Sequence, residues 1–180
     1  RVPVTTQGGM TGLTRAALPN ADEIVLSMER MNAIEEVDVS GGVAIAQAGT
    51  PLQKLQERVE LDGMMFPLDL GARGSCTIGG NISTNAGGNR VIRYGNTREN
   101  VISVEALLAD GRTQTFGPAS RDLAEFAPSS AMFGLARDLL ALGAREADEI
   151  AARFPKVQRR VGGYNLDALL PGRNDLNLAH

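Results

Sequence analysis

Two stretches of the chain carry residue types whose spacing suits chemistry. The first is Gln7-Gly8-Gly9-Met10-Thr11-Gly12, which follows the strand-like Val2-Pro3-Val4-Thr5-Thr6. Successive glycines let backbone N–H groups turn together into a concave nest that receives an anion, and the Thr11 hydroxyl can add a donor. No Gly-Lys-Ser/Thr follows and no Gly-x-Gly-x-x-Gly is present, so the run is neither a P-loop nor a dinucleotide fingerprint. Taken alone it could equally be a plain glycine turn. The second stretch is denser: Pro67-Leu68-Asp69-Leu70-Gly71, then Gly74-Ser75-Cys76-Thr77-Ile78-Gly79-Gly80-Asn81, then Thr84-Asn85-Ala86-Gly87-Gly88-Asn89. Such a run has little apolar surface to bury and stays ordered if a ligand supplies partner groups. Amides and hydroxyls near a helix start suit a pyrophosphate, because free N–H groups and the helix dipole both favour anions there. A mobile linker has a similar composition, yet linkers are seldom interleaved with residues such as Ile78, Ile82, Val91 and Ile92.

Residue counts narrow the chemistry. One cysteine, Cys76, excludes an internal disulfide and shows no sign of an oxidising compartment. One histidine, His180, leaves no His/Cys metal cluster and disfavours a Ser-His-Asp or Cys-His device. An external cofactor becomes the expected source of chemistry. The net charge of -3 argues against nucleic acid as the main partner. No apolar run approaches the ~20 residues that span a bilayer, so no membrane span is expected. RVPVTTQGG lacks the layout of a signal peptide, and the expected location is cytoplasmic.

The elements that position these stretches can be read from periodicity. Glu23–Met28 reads as a strand, and Ile34–Val39 with Val43–Ala48 as a hairpin around Ser40-Gly41-Gly42. A helix follows, with Thr50 as N-cap, Pro51 at its first position, Gln53 completing a capping box, and Leu52, Leu55 and Val59 on one face until Asp62-Gly63. Val101–Ala109 reads as an apolar strand turned by Asp110-Gly111 into Thr113–Phe116. Ala131–Leu142 is expected to be helical with Leu135, Leu139 and Leu142 on one face. Gly143 interrupts it, and Ala144–Phe154 resumes until Pro155. Asn165–Leu170 reads as a short helical turn. These elements do not alternate as in a doubly wound sheet, so the expected class is α+β.

The block FPLDLGARGSCTIGGNISTNAGGNRVIRYG (66–95) resembles the flavin-binding core of the FAD-linked oxidases of the vanillyl-alcohol oxidase type, whose FAD-binding domain is also termed PCMH-type. Within that family it looks nearest to the D-2-hydroxy-acid dehydrogenases, those acting on 2-hydroxyglutarate and lactate. QGGMTGL (7–13) is similar to the family's first pyrophosphate loop, QAGTPLQKL (47–55) to the strand and helix after it, and VISVEALLADG (101–111) to the strand after the core. The resemblance covers residues 1–117 and returns at VGGYNLDAL (161–169).

It implies a PCMH-type FAD-binding domain of two α/β lobes, truncated at both ends. In that reading 1–117 is the flavin-binding core, 118–160 a helical insertion and 161–180 the start of a flavin-proximal segment, with the substrate domain and a Gly-Ser-Glu-Gly-Thr type segment lying beyond. Gly8, Gly9, Met10, Thr11 and Gly12 would cradle the FAD pyrophosphate. Thr77, Gly79, Gly80 and Asn81 would hold its other side and the ribityl chain, and Pro67, Asp69, Ser75, Thr84, Asn85 and Gly87 would line the passage to the flavin ring. Cys76 reads as a small packed residue, since nothing nearby lowers its pKa. Members that bind FAD covalently place His where Thr11 stands, so a non-covalent FAD is implied. The motif Gly163-Tyr164-Asn165-Leu166 departs from the family's Gly-Tyr-Asp-Leu. Arg153, Lys156, Arg159 and Arg160 before it read either as an attractor of anions or as a solvated helix end, and Tyr164 and Asn165 could approach the flavin. The implied activity is oxidation of a D-2-hydroxy acid to the 2-oxo acid by hydride transfer to FAD, with a separate electron acceptor. The catalytic residues would lie outside this chain, which alone should not turn over. Another reaction on the same flavin module, or a non-catalytic flavin-binding subunit, stays open.

Overall fold

The computed structural model describes residues 2–157, 160, 162–174 and 176–180. They form two compact units, divided between Thr97 and Arg98.

The first unit begins with β1 (Val4–Gln7) paired in parallel with β2 (Ile24–Ser27), Val4 facing Ile24 and Gln7 facing Ser27. The glycine loop is therefore the crossover between two parallel strands. The hairpin β3 (Ile34–Asp38) and β4 (Val43–Ala46) is antiparallel with a register shift between Ile34 and Glu36, and Gly42 sits at φ +66° in its turn. Such a φ is open to glycine because it has no Cβ.

Helix α1 (Leu52–Glu60) buries Leu52, Leu55 and Val59, the face its periodicity predicts. Its start differs from the sequence expectation. Pro51 is the N-cap, and the Thr50 hydroxyl donates to the Ala33 carbonyl at 3.1 Å instead of capping. Gln53 reaches forward to Glu57 at 2.7 Å, so no capping box forms. The orphan N–H groups are satisfied from a distance: Leu52 N donates to Cys76 O and Gln53 N to Arg73 O, each at 2.9 Å. Tertiary acceptors have replaced the local cap. The core lies at this junction, with Leu52, Leu68 and Cys76 buried under Phe66, Leu70 and Ile78. Two short helices follow, α2 (Ile78–Ser83) and α3 (Val91–Tyr94).

In the second unit, β5 (Val104–Leu107) and β6 (Thr113–Phe116) pair antiparallel; β5 is shorter than the apolar run Val101–Ala109 suggests. A small antiparallel pair, β7 (Pro118–Ala119) with β8 (Leu176–Asn177), has no signal in the local sequence. Helix α4 (Ala131–Arg145) is capped by Ser130, whose side chain accepts from Phe133 N at 3.1 Å. It runs straight through Gly143. That glycine is buried where a Cβ would lie 2.6 Å from Leu169 Cβ, so it permits close packing and does not break the helix. The buried positions are Met132, Ala136 and Gly143, while Leu135 is 45% exposed, so the inward face is rotated from the leucine stripe. The break falls at Glu146, and α5 (Ala147–Arg153) resumes. A 3-10 turn, Leu166–Leu169, is gripped by Arg121, which donates to Ala168 O at 2.8 Å. Among the described residues, no helix is long and apolar enough to cross a membrane.

Candidate functional site

The first unit brings the two glycine-rich stretches together. A Cβ at Gly8 would collide with the Thr77 hydroxyl and lie 3.5 Å from Thr77 Cβ. One at Gly9 would overlap the Ser75 carbonyl, 2.7 Å from its carbon and 3.0 Å from Cys76 Cα. Gly9 therefore lies directly on the backbone of Ser75 and Cys76, and Gly8 lies against the Thr77 side chain, approaches that a Cβ would obstruct. Beyond them Met10 turns through φ +53°, and Thr11 and Gly12 are exposed. No described residue accepts a backbone hydrogen bond from the N–H groups of Gly8 through Gly12.

On the facing side, Thr77 is buried and precedes α2. Its Oγ1 has no hydrogen-bond partner among the described residues. Asn81, 4% exposed, lies beside the Cys76 thiol, and its Nδ2 makes no hydrogen bond of normal geometry. Buried polar atoms are nearly always paired, and leaving one unsatisfied costs about 1–3 kcal/mol. Thr77 Oγ1 lies against Gly8, next to a run of N–H groups without acceptors among the described residues, and donors of this kind can receive acceptor oxygens.

The start of α2 does not offer the free donors that its sequence suggests. Ile78 N donates to Thr50 O at 2.9 Å and Gly79 N to Ala48 O at 2.8 Å, so the first donors of α2 are already used. The missing side chain of Gly79 makes room for Ala48, whose Cβ would be 2.7 Å away. Gly80 is exposed and open, with only the Thr77 hydroxyl near, at 3.3 Å. The loop before Leu13, more than the helix, supplies the free donors.

The remaining predicted residues have other surroundings. Ser75 is exposed and contributes its carbonyl to the Gly9 contact. The Thr84 hydroxyl donates back to Gly80 O at 3.0 Å, within its own helix end. Asn85 adopts φ +44°, and Ala86 N then returns to Asn81 O at 2.9 Å. Asp69 accepts Asn89 N at its carbonyl, 3.1 Å, and lies 3.8 Å from Arg90 Nε. Pro67 and Gly87 are half-buried. Gly88, absent from the predicted set, is the glycine that fits against Asp69, where a Cβ would be 2.9 Å from the Asp69 carbonyl carbon.

Burial pushes the Cys76 thiol above its ordinary value, partly offset by the Asn81 side chain, which agrees with a packed and unreactive cysteine. In the second unit, Arg160 donates to Asn165 Oδ1 at 2.6 Å and Asp167 Oδ1 at 2.9 Å and stacks over Phe154 at 4.0 Å. Arg153 pairs with Glu149 at 2.6 Å, and Tyr164 is 88% exposed. Arg159 and Val161 lie outside the described residues.

A glycine-rich crossover between parallel strands, with acceptor-free N–H groups set against the buried Thr77 side chain, is an arrangement that can hold an anionic cofactor. The chain belongs to the family of FAD binding domains, whose pattern matches residues 1–117, and FAD is its cofactor. It is 50% identical over 108 residues to the mitochondrial D-2-hydroxyglutarate dehydrogenase of Bos taurus, covering 60% of this chain and 20% of that protein. It is 46% identical over 110 residues to the D-2-hydroxyglutarate dehydrogenase of Xanthomonas citri pv. viticola, covering 61% and 23%. Each match thus spans about a fifth of the relative's length. Among solved structures, an alkyldihydroxyacetonephosphate synthase superposes with a TM-score of 0.57 at 23% identity, covering 64% of this chain and 21% of that one. The 6-hydroxy-D-nicotine oxidase of Arthrobacter nicotinovorans superposes with a TM-score of 0.55 at 20% identity, covering 64% and 25%. At these identities the likeness establishes the PCMH-type FAD-binding fold alone.

The cytoplasmic expectation is overturned. The relatives from Bos taurus, Danio rerio and Arabidopsis thaliana are named mitochondrial. That expectation rested on RVPVTTQGG, which leads into β1 of the folded domain, and residues of a domain strand carry no targeting information.

Proposed function

We infer that residues 8–12, Thr77 and Asn81 hold the diphosphate of a non-covalent FAD in a flavoenzyme oxidising a D-2-hydroxy acid of the 2-hydroxyglutarate class. One observation carries the reading: Gly8 and Gly9 press onto Ser75–Thr77, so a run of N–H groups without acceptors lies against the unpartnered Thr77 Oγ1. Phosphate oxygens suit such donors, and hydrogen bonds to a charged acceptor are roughly twice as strong as neutral ones. The exposed backbone of Gly80 leaves room for the cofactor to approach, while Gly79 serves the packing of α2. Thr11 offers a hydroxyl and no imidazole, which supports a non-covalent hold. Pro67, Asp69, Ser75, Thr84, Asn85 and Gly87 would line the passage toward the ring, and 118–160 would be a helical addition to the flavin-binding part.

A bound FAD would supply the hydride-accepting chemistry for oxidation at the substrate α-carbon. This chain's residues bind and orient the cofactor. The identity to D-2-hydroxyglutarate dehydrogenases supports the substrate class, and the reoxidising acceptor is a separate partner. The test uses the full-length polypeptide. Acid or heat should release free FAD, and D-2-hydroxyglutarate should bleach the flavin absorbance anaerobically faster than D-lactate or glycolate. Flavin that stays with the denatured chain would refute the non-covalent hold, and no bleaching by any 2-hydroxy acid would refute the substrate class.

A further inference from the structure

The segment that presents the N–H groups has nothing of its own to keep its curvature. The first backbone hydrogen bond within the crossover is Leu18 N to Arg15 O, at 3.0 Å, beyond the glycines. One side chain spans the two ends of the loop. Gln7 Nε2 donates to the Ala17 carbonyl at 2.7 Å, reaching across ten positions from a half-buried site. The Gln7 main chain is itself fixed, because it is the last paired residue of β1, opposite Ser27, and its carbonyl accepts Met28 N at 2.8 Å. The far end is braced as well. The Glu23 carboxylate accepts Asn20 N at 3.0 Å, Asn20 Nδ2 at 2.9 Å and the Thr5 hydroxyl. The bond between Gln7 and Ala17 therefore closes the mouth of a loop whose two bases are rigid.

We propose that Gln7 is a positioning residue for FAD, a latch whose carboxamide holds residues 8–16 in the curvature that turns the N–H groups of Gly8–Gly12 toward one point. This rests on the reading that those groups receive the diphosphate. Glycine-rich backbone loses the most freedom on ordering. A loop already curved before the cofactor arrives therefore binds more tightly than one that must be ordered at that moment. Gln7 acts through the loop and needs no contact with the cofactor.

The latch is tested on the full-length polypeptide, freed of flavin and titrated with FAD by fluorescence between pH 5 and 8. Gln7→Met keeps the length and removes the donor. Its dissociation constant should rise about three- to tenfold, the range of one neutral hydrogen bond, with the pH dependence of the wild type. Gln7→Glu places a carboxylate against the Ala17 carbonyl and should bind more weakly still at pH 8. As the pH falls and that carboxyl takes up a proton, its O–H can donate to Ala17, and affinity should recover toward the Gln7 level. A purely structural role does not predict that proton-dependent recovery. Charge repulsion of the diphosphate alone would leave Gln7→Met at the wild-type value, which would overturn the latch.

Thr77→Val, titrated in parallel, removes a proposed ligand group and leaves the latch intact. Weaker FAD binding there with wild-type binding in both Gln7 variants refutes the latch and spares the site. Wild-type binding in Thr77→Val refutes the site reading itself. Amide hydrogen exchange at residues 8–14 of the flavin-free protein should be faster in Gln7→Met, and equal exchange counts against the proposal. Failure of both Gln7 variants to fold would make Gln7 a folding residue and overturn the proposal as well.

Discussion

Replacing Gly9 by alanine adds one methyl group where the two glycine-rich stretches touch. Its position is set by the backbone, so no rotamer relieves the contact. The new Cβ would sit 2.7 Å from the carbonyl carbon of Ser75 and 3.0 Å from Cys76 Cα, and closer still to the Ser75 oxygen. Carbon atoms pack comfortably at about 3.5–4.0 Å, so the loop must retreat by roughly 1 Å. Ser75–Thr77 cannot yield, because Ser75 N and Cys76 N donate to Ala72 O at 2.8 Å, and Cys76 O accepts Leu52 N. The crossover lacks backbone bonds at residues 8–14 and moves instead. Fold stability should therefore fall little, by about 1 kcal/mol or less, at the mild end of overpacked sites. The displaced N–H groups lose their aim at the diphosphate. Losing one or two charge-assisted bonds at about 1.5–3 kcal/mol each weakens FAD binding by roughly tenfold to twenty-thousand-fold, the low end for one weak bond and the high end for two strong ones. The matched control is Gly71→Ala, outside the binding set, where a Cβ also meets nothing within 4 Å; its affinity should stay within about twofold of wild type. FAD titration of the flavin-free full-length protein, with thermal unfolding alongside, measures both. Wild-type affinity in Gly9→Ala, or equal damage from Gly71→Ala, would refute the reasoning.

Other outcomes follow from single contacts. Gly143→Ala should destabilise the second unit by about 1–3 kcal/mol through the clash with Leu169, whereas Gly134→Ala, with open space around it, should be neutral or gain up to about 1 kcal/mol of helix propensity; denaturant melts of the two variants compare them. The buried Cys76 thiol should resist a thiol reagent at pH 7.5 in the folded protein and react once the chain is unfolded, and rapid native labelling would contradict its packing. Hydrogen bonds from Thr5 and Asn20 hold the Glu23 carboxyl below the ordinary glutamate range. A depressed carboxyl contributes stability above its unfolded pKa, about 4.3, and loses it as pH falls through the folded value. Glu23→Gln should therefore flatten the acid limb of the stability profile below about pH 4.3 and leave its shape near neutrality unchanged.

Much of the first unit was legible because its signals are local. Alternating and periodic apolar residues placed β2, the β3–β4 hairpin and the inward face of α1, and Asp62-Gly63 marked where α1 ends. The density of Gly, Thr and Asn in 67–89 pointed to a ligand, because residues with so little to bury among themselves are ordered by a partner, whereas 7–12 alone could equally be a glycine turn. The misreadings have one cause, which is that a hydrogen-bonding group takes whatever acceptor the fold brings nearest. Thr50 looks like an N-cap, yet its hydroxyl goes to Ala33 and the α1 donors go to Arg73 and Cys76. The α2 start looks open, yet Ala48 and Thr50 occupy its first N–H groups. Gly143 looks like a helix breaker and is a packing site for Leu169.

The family and the FAD cofactor follow from the amino-acid sequence alone, since composition and motif survive without coordinates. Only the tertiary structure decided that Gly8 and Gly9 lie on Ser75–Thr77, which glycines face the open side, and that Gln7 reaches Ala17. Those contacts join residues far apart in the chain, and their existence depends on the parallel pairing of β1 with β2 and on the docking of 73–78 at the start of α1. No local pattern encodes an approach between two backbones; the absence of a Cβ permits it, and the fold alone supplies the neighbour.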